Sequence, residues 1–343
     1  MTDYFNAVSV ISEKIISFTR RKLEKFILPF IDLDDVLAKI SQKPTSLGFQ
    51  VTNICNANCV FCGYQYLKSS KGILSMDLFK KAVDEFNCFG GGNITFTPIV
   101  GEPLIDPSFI EKIKYARSRQ NIAHISFFTN GILINRMDAR DIITSGVNSV
   151  TISIGGFDAE TYLRAYRVNH WNDVYEGLLN ILKENKLRGN RVDIHIGLRS
   201  DAPLSRLLGE PAYKELRRFK FKLEYNIHYD SWSGRIKQQD LKGIMRLRRP
   251  LKKTEPCWLL YSGPTILSNG DMTLCGCRDL DGDAEFVLGN IKDKTILEMW
   301  RDQRVGNIRK GFYSSRYPEM CRNCSFYNDL SPLRKEKLNK FFR

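Results

Sequence analysis

From residue 47 to residue 229 the chain alternates strand-like and helix-like segments six times, and this alternation limits its fold more than any other feature. The strand patterns are "LGFQVT" (47–52), "NITFTPIV" (93–100), "AHISFFTNG" (123–131), "VNSVTISIGG" (147–156), "RVDIHIGLRS" (191–200) and "FKLEYNIHY" (221–229). Helical patterns separate them: "SMDLFKKAVDEF" with Ser75 as its cap, "PSFIEKIKYARS", "RMDARDIITSG", residues 158–166 and 171–188, and about 211–219. Strand followed by helix, repeated, predicts parallel strands joined by right-handed crossovers. Six such units suit an open or partly closed α/β barrel, a partial (β/α)6 barrel. In folds of this kind the chemistry sits at the C-terminal ends of the strands.

The first strand runs straight into "TNICNANCVFCGY" (52–64), which puts Cys55, Cys59 and Cys62 within eight residues. A structural zinc ion is normally four-coordinate, and residues 40–75 hold no fourth cysteine and no histidine. An iron–sulfur cluster held by three cysteines leaves one iron open to a small molecule. The chain has nine cysteines, no secretion signal at "MTDYFNAVSVISEK" and no apolar run long enough to span a bilayer. These features predict a cytoplasmic protein, without stable membrane insertion, whose cysteines are ligands or reactive thiols and not disulfides.

At 343 residues the chain can bury one large domain and a smaller one. Residues 1–46 read as a helical segment, with apolar positions at helical spacing over 8–30 and a basic opposite face. Residues 47–230 form the barrel, 231–256 a basic linker, 257–330 a small cysteine-rich domain and 331–343 a basic tail. Within 257–330, "GPTILSNGDMTLCGC" predicts a β-hairpin turning at Asn269–Gly270. The helix "TILEMWRDQRV" and a terminal "CRNC" follow. The net charge of +14 is spread over short runs without the aromatic interleaving of RNA-binding motifs. It fits a solvated surface or an anionic substrate, and no nucleic-acid partner is expected.

"CNANCVFC", with Phe61 before its last cysteine, resembles the CxxxCxΦC signature of the radical SAM superfamily. The resemblance implies that Cys55, Cys59 and Cys62 hold a 4Fe–4S cluster whose open iron binds S-adenosylmethionine (SAM). Reductive cleavage then yields a 5′-deoxyadenosyl radical, with an external donor such as flavodoxin or ferredoxin supplying the electron. "VGEPLIDP" resembles the family's GGEP motif, so Gly101, Glu102 and Pro103 are expected to face the methionine amino group. Thr129 and Asn130, in "TNG", end strand three as in relatives. "SISIGG" resembles the ribose-contacting segment, implying a role for Ser153, although Gly155 stands where a common family form has aspartate. Arg164 and Arg167 occupy the region from which relatives contact the SAM carboxylate. Arg199 points toward SAM or an anionic substrate group.

The C-terminal cysteines resemble the SPASM domain, or its shortened twitch form, which carries auxiliary clusters. Five thiols are too few for two clusters, so one auxiliary 4Fe–4S cluster is expected, held by Cys257, Cys275, Cys321 and Cys324. Cys277 is the spare thiol. Lying two residues from Cys275 on a strand, it would share a face with it, and it could replace Cys275, fill space or donate a hydrogen atom. Cys88, on an amphipathic helix, reads as a core residue. The implied reaction is hydrogen abstraction from a small polar, sugar-like or phosphorylated molecule, ending in dehydrogenation. Epimerisation through Cys277 and peptide modification stay open as enzyme alternatives. The non-enzyme alternative is a zinc-stapled, nucleic-acid-binding protein.

Overall fold

The computed structural model describes residues 30–97, 99–276, 278–282 and 285–341. The helix expected over 8–30 therefore falls almost wholly outside the described residues, as does Cys277. Six parallel strands form in chain order: β1 (Ser46–Phe49), β2 (Gly92–Phe96), β3 (Ile122–Thr129), β4 (Ser149–Ile154), β5 (Asp193–Leu198) and β6 (Lys222–Tyr225). Each adjacent pair is joined by a segment containing at least one α-helix. The partial barrel expected from the alternation is thus present.

Alternation within the strands explains why the barrel encloses a cavity. Phe49, Ile94, Phe96, Ile125, Phe127, Ile152 and Ile196 are buried in the apolar core, where aromatic rings interlock. Phe49 meets Phe79 at 4.8 Å between ring centroids, and Phe109 meets both Phe96 and Phe127 at 5.2 Å. On the same strands Gly48, Thr95, Phe128 and Ser153 line the barrel interior instead. A period of two sends one set to the core and the other toward the cavity. Ser75 caps the helix Met76–Cys88 as expected, accepting the Leu78 N–H.

The C-terminal part continues this sheet. Strand β9 (Thr265–Ile266) pairs in parallel with β1. Strand β10 (Asp271–Thr273) pairs antiparallel with β9, and β11 (Val287–Asn290) antiparallel with β10. The result is one nine-stranded sheet, ordered β11-β10-β9-β1-β2-β3-β4-β5-β6. The hairpin turns at Gly270 as the Asn-Gly pair predicts, with φ +90°.

Several local expectations change. The predicted sixth strand breaks after Tyr225: β7 (His228–Tyr229) leaves the barrel and pairs in parallel with β8 (Arg246–Leu247). The helix predicted near 211–219 is the shorter Pro211–Leu216, opened by Pro211, and a separate short helix not foreseen in the sequence, Leu204–Gly209, precedes it. "TILEMWRDQRV" divides likewise at Asp302, whose side chain caps the helix Gln303–Gly311. Strand β10 stops at Thr273, so Cys275 lies beyond it and the same-face argument for the two neighbouring thiols does not apply. Cys88 is exposed at the end of its helix, while Phe79, Ala82, Val83 and Phe86 take the buried positions.

Candidate active site

The cysteine loop wraps over the C-terminal edge of the barrel and is held by local hydrogen bonds. Asn53 accepts the Gly72 N–H at 2.8 Å and donates to the Ser70 carbonyl at 2.9 Å. The Asn58 and Val60 N–H groups donate to the carbonyls of Tyr166 and Ala165, pinning the loop to the end of the helix Ala159–Tyr166. Cys55, Cys59 and Cys62 all line one cavity of about 520 Å³ in the barrel mouth. Burial pushes the Cys55 thiol up to about 12 and raises Cys59 and Cys62 as well. Arg199 acts the other way on Cys59 and Cys62. The Tyr64 N–H donates to the Cys62 sulfur at 3.4 Å, and the Asn130 amide to the Cys55 sulfur at 3.7 Å.

The GEP segment forms the adjoining wall. Gly101 has φ +112°, and a Cβ there would lie 2.0 Å from the Thr52 carbonyl oxygen. Only glycine brings the backbone this close to the cysteine loop. Its neighbour Glu102 is buried and donates its N–H to the Ile54 carbonyl. The Glu102 carboxylate accepts the Thr129 hydroxyl at 2.7 Å, the Asn130 N–H at 2.7 Å and the Leu104 N–H at 3.2 Å. Burial raises this carboxyl to about 7 against those three hydrogen bonds. Gly101, Glu102, Thr129, Asn130, Phe61 and Ser153 all line the cavity. Pro103 does not: it is buried as the first residue of the short turn Pro103–Ile105. At Gly155 the helix Ala159–Tyr166 packs so closely that an added Cβ would lie 2.9 Å from Ala165 Cβ. The aspartate of the common family form has no room there.

The three arginines separate. Arg199 lines the cavity, its guanidinium 5.6 Å from the Phe61 ring centroid. Arg164 lies outside the wall, paired to Asp201 at 2.7 and 3.2 Å and also to Glu160. Arg167 lies outside it too, reaching Gln65 at 3.4 Å. Pro103, Arg164 and Arg167 therefore do not meet the cavity as expected. Residues that sequence reasoning passed over do. Thr97 and Tyr166 line it, and the hydroxyl of each is buried without a hydrogen-bond partner among the described residues. Asp230, Trp232 and Arg248 line it as well. Asp230 could have been found as the first residue after the sixth predicted strand. Arg248 and Trp232, in the basic segment, carried no such signal.

Cys257, Cys275, Cys321 and Cys324, the four predicted partners, line a second, smaller cavity together. Burial raises Cys257 to about 12 and also raises Cys321 and Cys324; neighbouring thiols among the four add to the effect. Leu259, Arg278 and Phe326 line both cavities. Among the described residues, no three His, Cys, Asp or Glu side chains converge on a position for a single metal ion. A cubane cluster spreads its thiolates over separate iron atoms.

A family model described as the radical SAM superfamily matches residues 49–204, and a second, the SPASM iron–sulfur cluster-binding domain, matches 257–325. Together they cover well over half of the chain, which belongs to the radical SAM superfamily and carries a C-terminal SPASM domain. Among curated relatives, a GTP 3′,8-cyclase of Desulforamulus reducens is 30% identical over 141 residues, 40% of this chain and 42% of that protein. One from Clostridium acetobutylicum is 31% identical over 143 residues, 40% and 43%. The match thus spans less than half the length of these relatives. Among solved structures, BtrN in complex with AdoMet and 2-DOIA aligns with TM-score 0.53 at 15% identity, over 82% of this chain and 93% of that one. Native anSMEcpe with bound AdoMet and Cp18Cys peptide aligns with TM-score 0.55 at 18% identity, over 82% and 88%. Both likenesses concern the fold.

A radical SAM enzyme uses a 4Fe–4S cluster with SAM, and the SPASM domain binds further iron–sulfur. The walls fit these groups. Three half-buried thiols face one cavity and four face the other, and loss of solvent makes such thiols poor thiolates unless a cationic group compensates them. Donors reach two of the first three sulfurs, and two unpartnered hydroxyls stand in the same wall.

Proposed function

We propose that this chain abstracts a hydrogen atom from a small polar, sugar-like or phosphorylated substrate and oxidises it by dehydrogenation. Cys55, Cys59 and Cys62 hold the SAM-binding cluster in this proposal, and Cys257, Cys275, Cys321 and Cys324 hold one auxiliary 4Fe–4S cluster. The observation that carries it is the shared wall: the two cysteine-lined cavities have Leu259, Arg278 and Phe326 in common. When bound, SAM and the clusters supply a 5′-deoxyadenosyl radical and an acceptor for the second electron of an oxidation.

The chain's own residues do the remaining work. Glu102, tied to Thr129 and Asn130, stiffens the wall beside the first cysteines and offers the methionine ammonium an acceptor. Ser153 lines the cavity and would meet a ribose hydroxyl of bound SAM, and Phe61 supports Arg199. The two carboxylates of the wall, Glu102 and Asp230, are already hydrogen-bonded within the protein. Arg199 and Arg248 have no carboxylate partner among the described residues, so an anionic group, from SAM or substrate, suits them. The likeness to GTP 3′,8-cyclases over part of the barrel adds phosphorylated nucleotides to the substrates worth testing.

Epimerisation through Cys277 is the second reading, favoured because the other four C-terminal cysteines already line one cavity and leave this thiol in surplus. Anaerobic reconstitution tests the family-level proposal: about eight irons per chain and deoxyadenosine formed under reductant are expected. Zinc-only protein forming no deoxyadenosine overturns it. With a panel of sugar phosphates and nucleotides in deuterated water, dehydrogenation gives a product two hydrogens lighter. Epimerisation gives a product of unchanged composition carrying solvent deuterium.

A further inference from the structure

The wall between the two cavities is built around one ion pair. Arg278 donates to Asp230 through Nε and Nη2, each at 2.6 Å, and both side chains are about nine-tenths buried. The guanidinium is sandwiched between two rings, 4.2 Å from the centroid of Trp232 and 4.1 Å from that of Phe326. Phe326 follows Cys324 by two residues and lines the second cavity. Trp232 faces the first: its indole N–H donates to the Phe61 carbonyl at 3.0 Å. A Cβ on Gly63, next to Cys62, would lie 2.6 Å from the Trp232 ring.

The backbone holding this stack is strained and tethered at both ends. Trp232 and Ser233 are consecutive non-glycine residues at φ +48° and +59°, a conformation that persists only where the surroundings enforce it. The Trp232 N–H donates to Asp230 at 2.7 Å. Ser231 donates its N–H to the Ser325 hydroxyl at 2.8 Å and its hydroxyl to the Asn323 carbonyl at 3.1 Å, on either side of Cys324. One short segment is thus fastened to both cysteine sites.

We propose that Arg278, clamped to Asp230 between Trp232 and Phe326, is a positioning residue that couples the substrate cavity to the second cysteine cavity and sets the reduction potential of the cluster held there. The proposal rests on the assignment of an auxiliary cluster to Cys257, Cys275, Cys321 and Cys324. A buried charge beside an iron–sulfur cluster shifts its potential, because reduction adds negative charge to the cluster. Removing the Asp230 carboxylate takes away the negative charge that faces the guanidinium and favours the reduced state. Removing the guanidinium removes that pull.

The test is an anaerobic potentiometric titration of the fully reconstituted chain, followed by electron paramagnetic resonance, with iron counted for every variant. Asp230→Asn is expected to raise the potential of the second cluster, Arg278→Gln to lower it, and the charge-keeping Arg278→Lys to stay nearer the unsubstituted chain. Loosened packing alone would admit water in both Asp230→Asn and Arg278→Gln and move both the same way. Shifts in one direction for both, or no shift in Asp230→Asn or in Arg278→Gln, overturn the coupling while leaving the cluster assignment intact. A single cluster in the unsubstituted chain overturns both.

Discussion

At the scale of single residues, Glu102 has two properties that pull against each other. Three hydrogen bonds favour its ionised form, yet burial prevails and raises the carboxyl to about 7. An acid whose folded value lies above its unfolded value binds more protons when folded, so its contribution to stability is greatest below the ordinary carboxyl range and falls as pH rises toward 7. Replacing it by Gln should flatten the pH dependence of anaerobic urea unfolding between about pH 4.5 and 7; an unchanged slope would contradict this. Lys112 and Asp106 form the other buried charged group near the motif, at 2.5 Å, both wholly inaccessible. Asp106 closes the turn after Glu102, and Lys112 also donates to the Leu74 carbonyl at 2.6 Å. Lys112→Ala strands a buried carboxylate and is expected to cost about 3–5 kcal/mol in the same unfolding measurement. "GEPLIDP" announced the loop but not this lysine, because the partner comes from a later helix face.

At the scale of elements, the strand–helix rhythm was legible because each segment is stabilised largely by its own neighbours and its own apolar face. The C-terminal hairpin shows where that ends. Its turn could be read from Asn269–Gly270, whereas its pairing with β1 joins residues more than two hundred positions apart. A second long-range tie joins the same parts: Asp281 accepts the N–H groups of Lys68 and Ser69 at 2.7 and 2.9 Å, holding the segment after the cysteine loop. Asp281→Ala should cost about 1 kcal/mol and make residues near 68 more susceptible to limited proteolysis. Equal cleavage rates would show that the loop is held by other means. Cys88 carries the same lesson from a helix: amphipathic spacing identified the buried face, but the last residue of the helix lies beyond it.

At the scale of the whole molecule, one continuous sheet brings two groups of cysteines, nearly two hundred residues apart in the chain, to cavities with a common wall. Cys321→Ala should therefore reduce bound iron from about eight toward about four per chain. Deoxyadenosine formation under reductant should persist, since the first cavity keeps Cys55, Cys59 and Cys62. Loss of both together would mean that the second site is needed for the first to form. Among the described residues no helix is long and apolar enough to cross a membrane. The positive charge is most informative in the cavity, where Arg199 and Arg248 lack carboxylate partners among the described residues, rather than in its total.

The sequence by itself determined the family, the cysteines of both clusters as candidates and the order of the barrel strands. These depend on spacing along the chain, which a local pattern records in full. Only the tertiary structure decided which side chains reach the cavity. It admitted Arg199 and left out Arg164, which Asp201 and Glu160 already hold, and Arg167, which is exposed and reaches Gln65. It also stacked Trp232, Arg278 and Phe326, from three distant segments, into one wall. Contacts of that kind arise from packing after the elements have formed, and no short stretch of the chain encodes them.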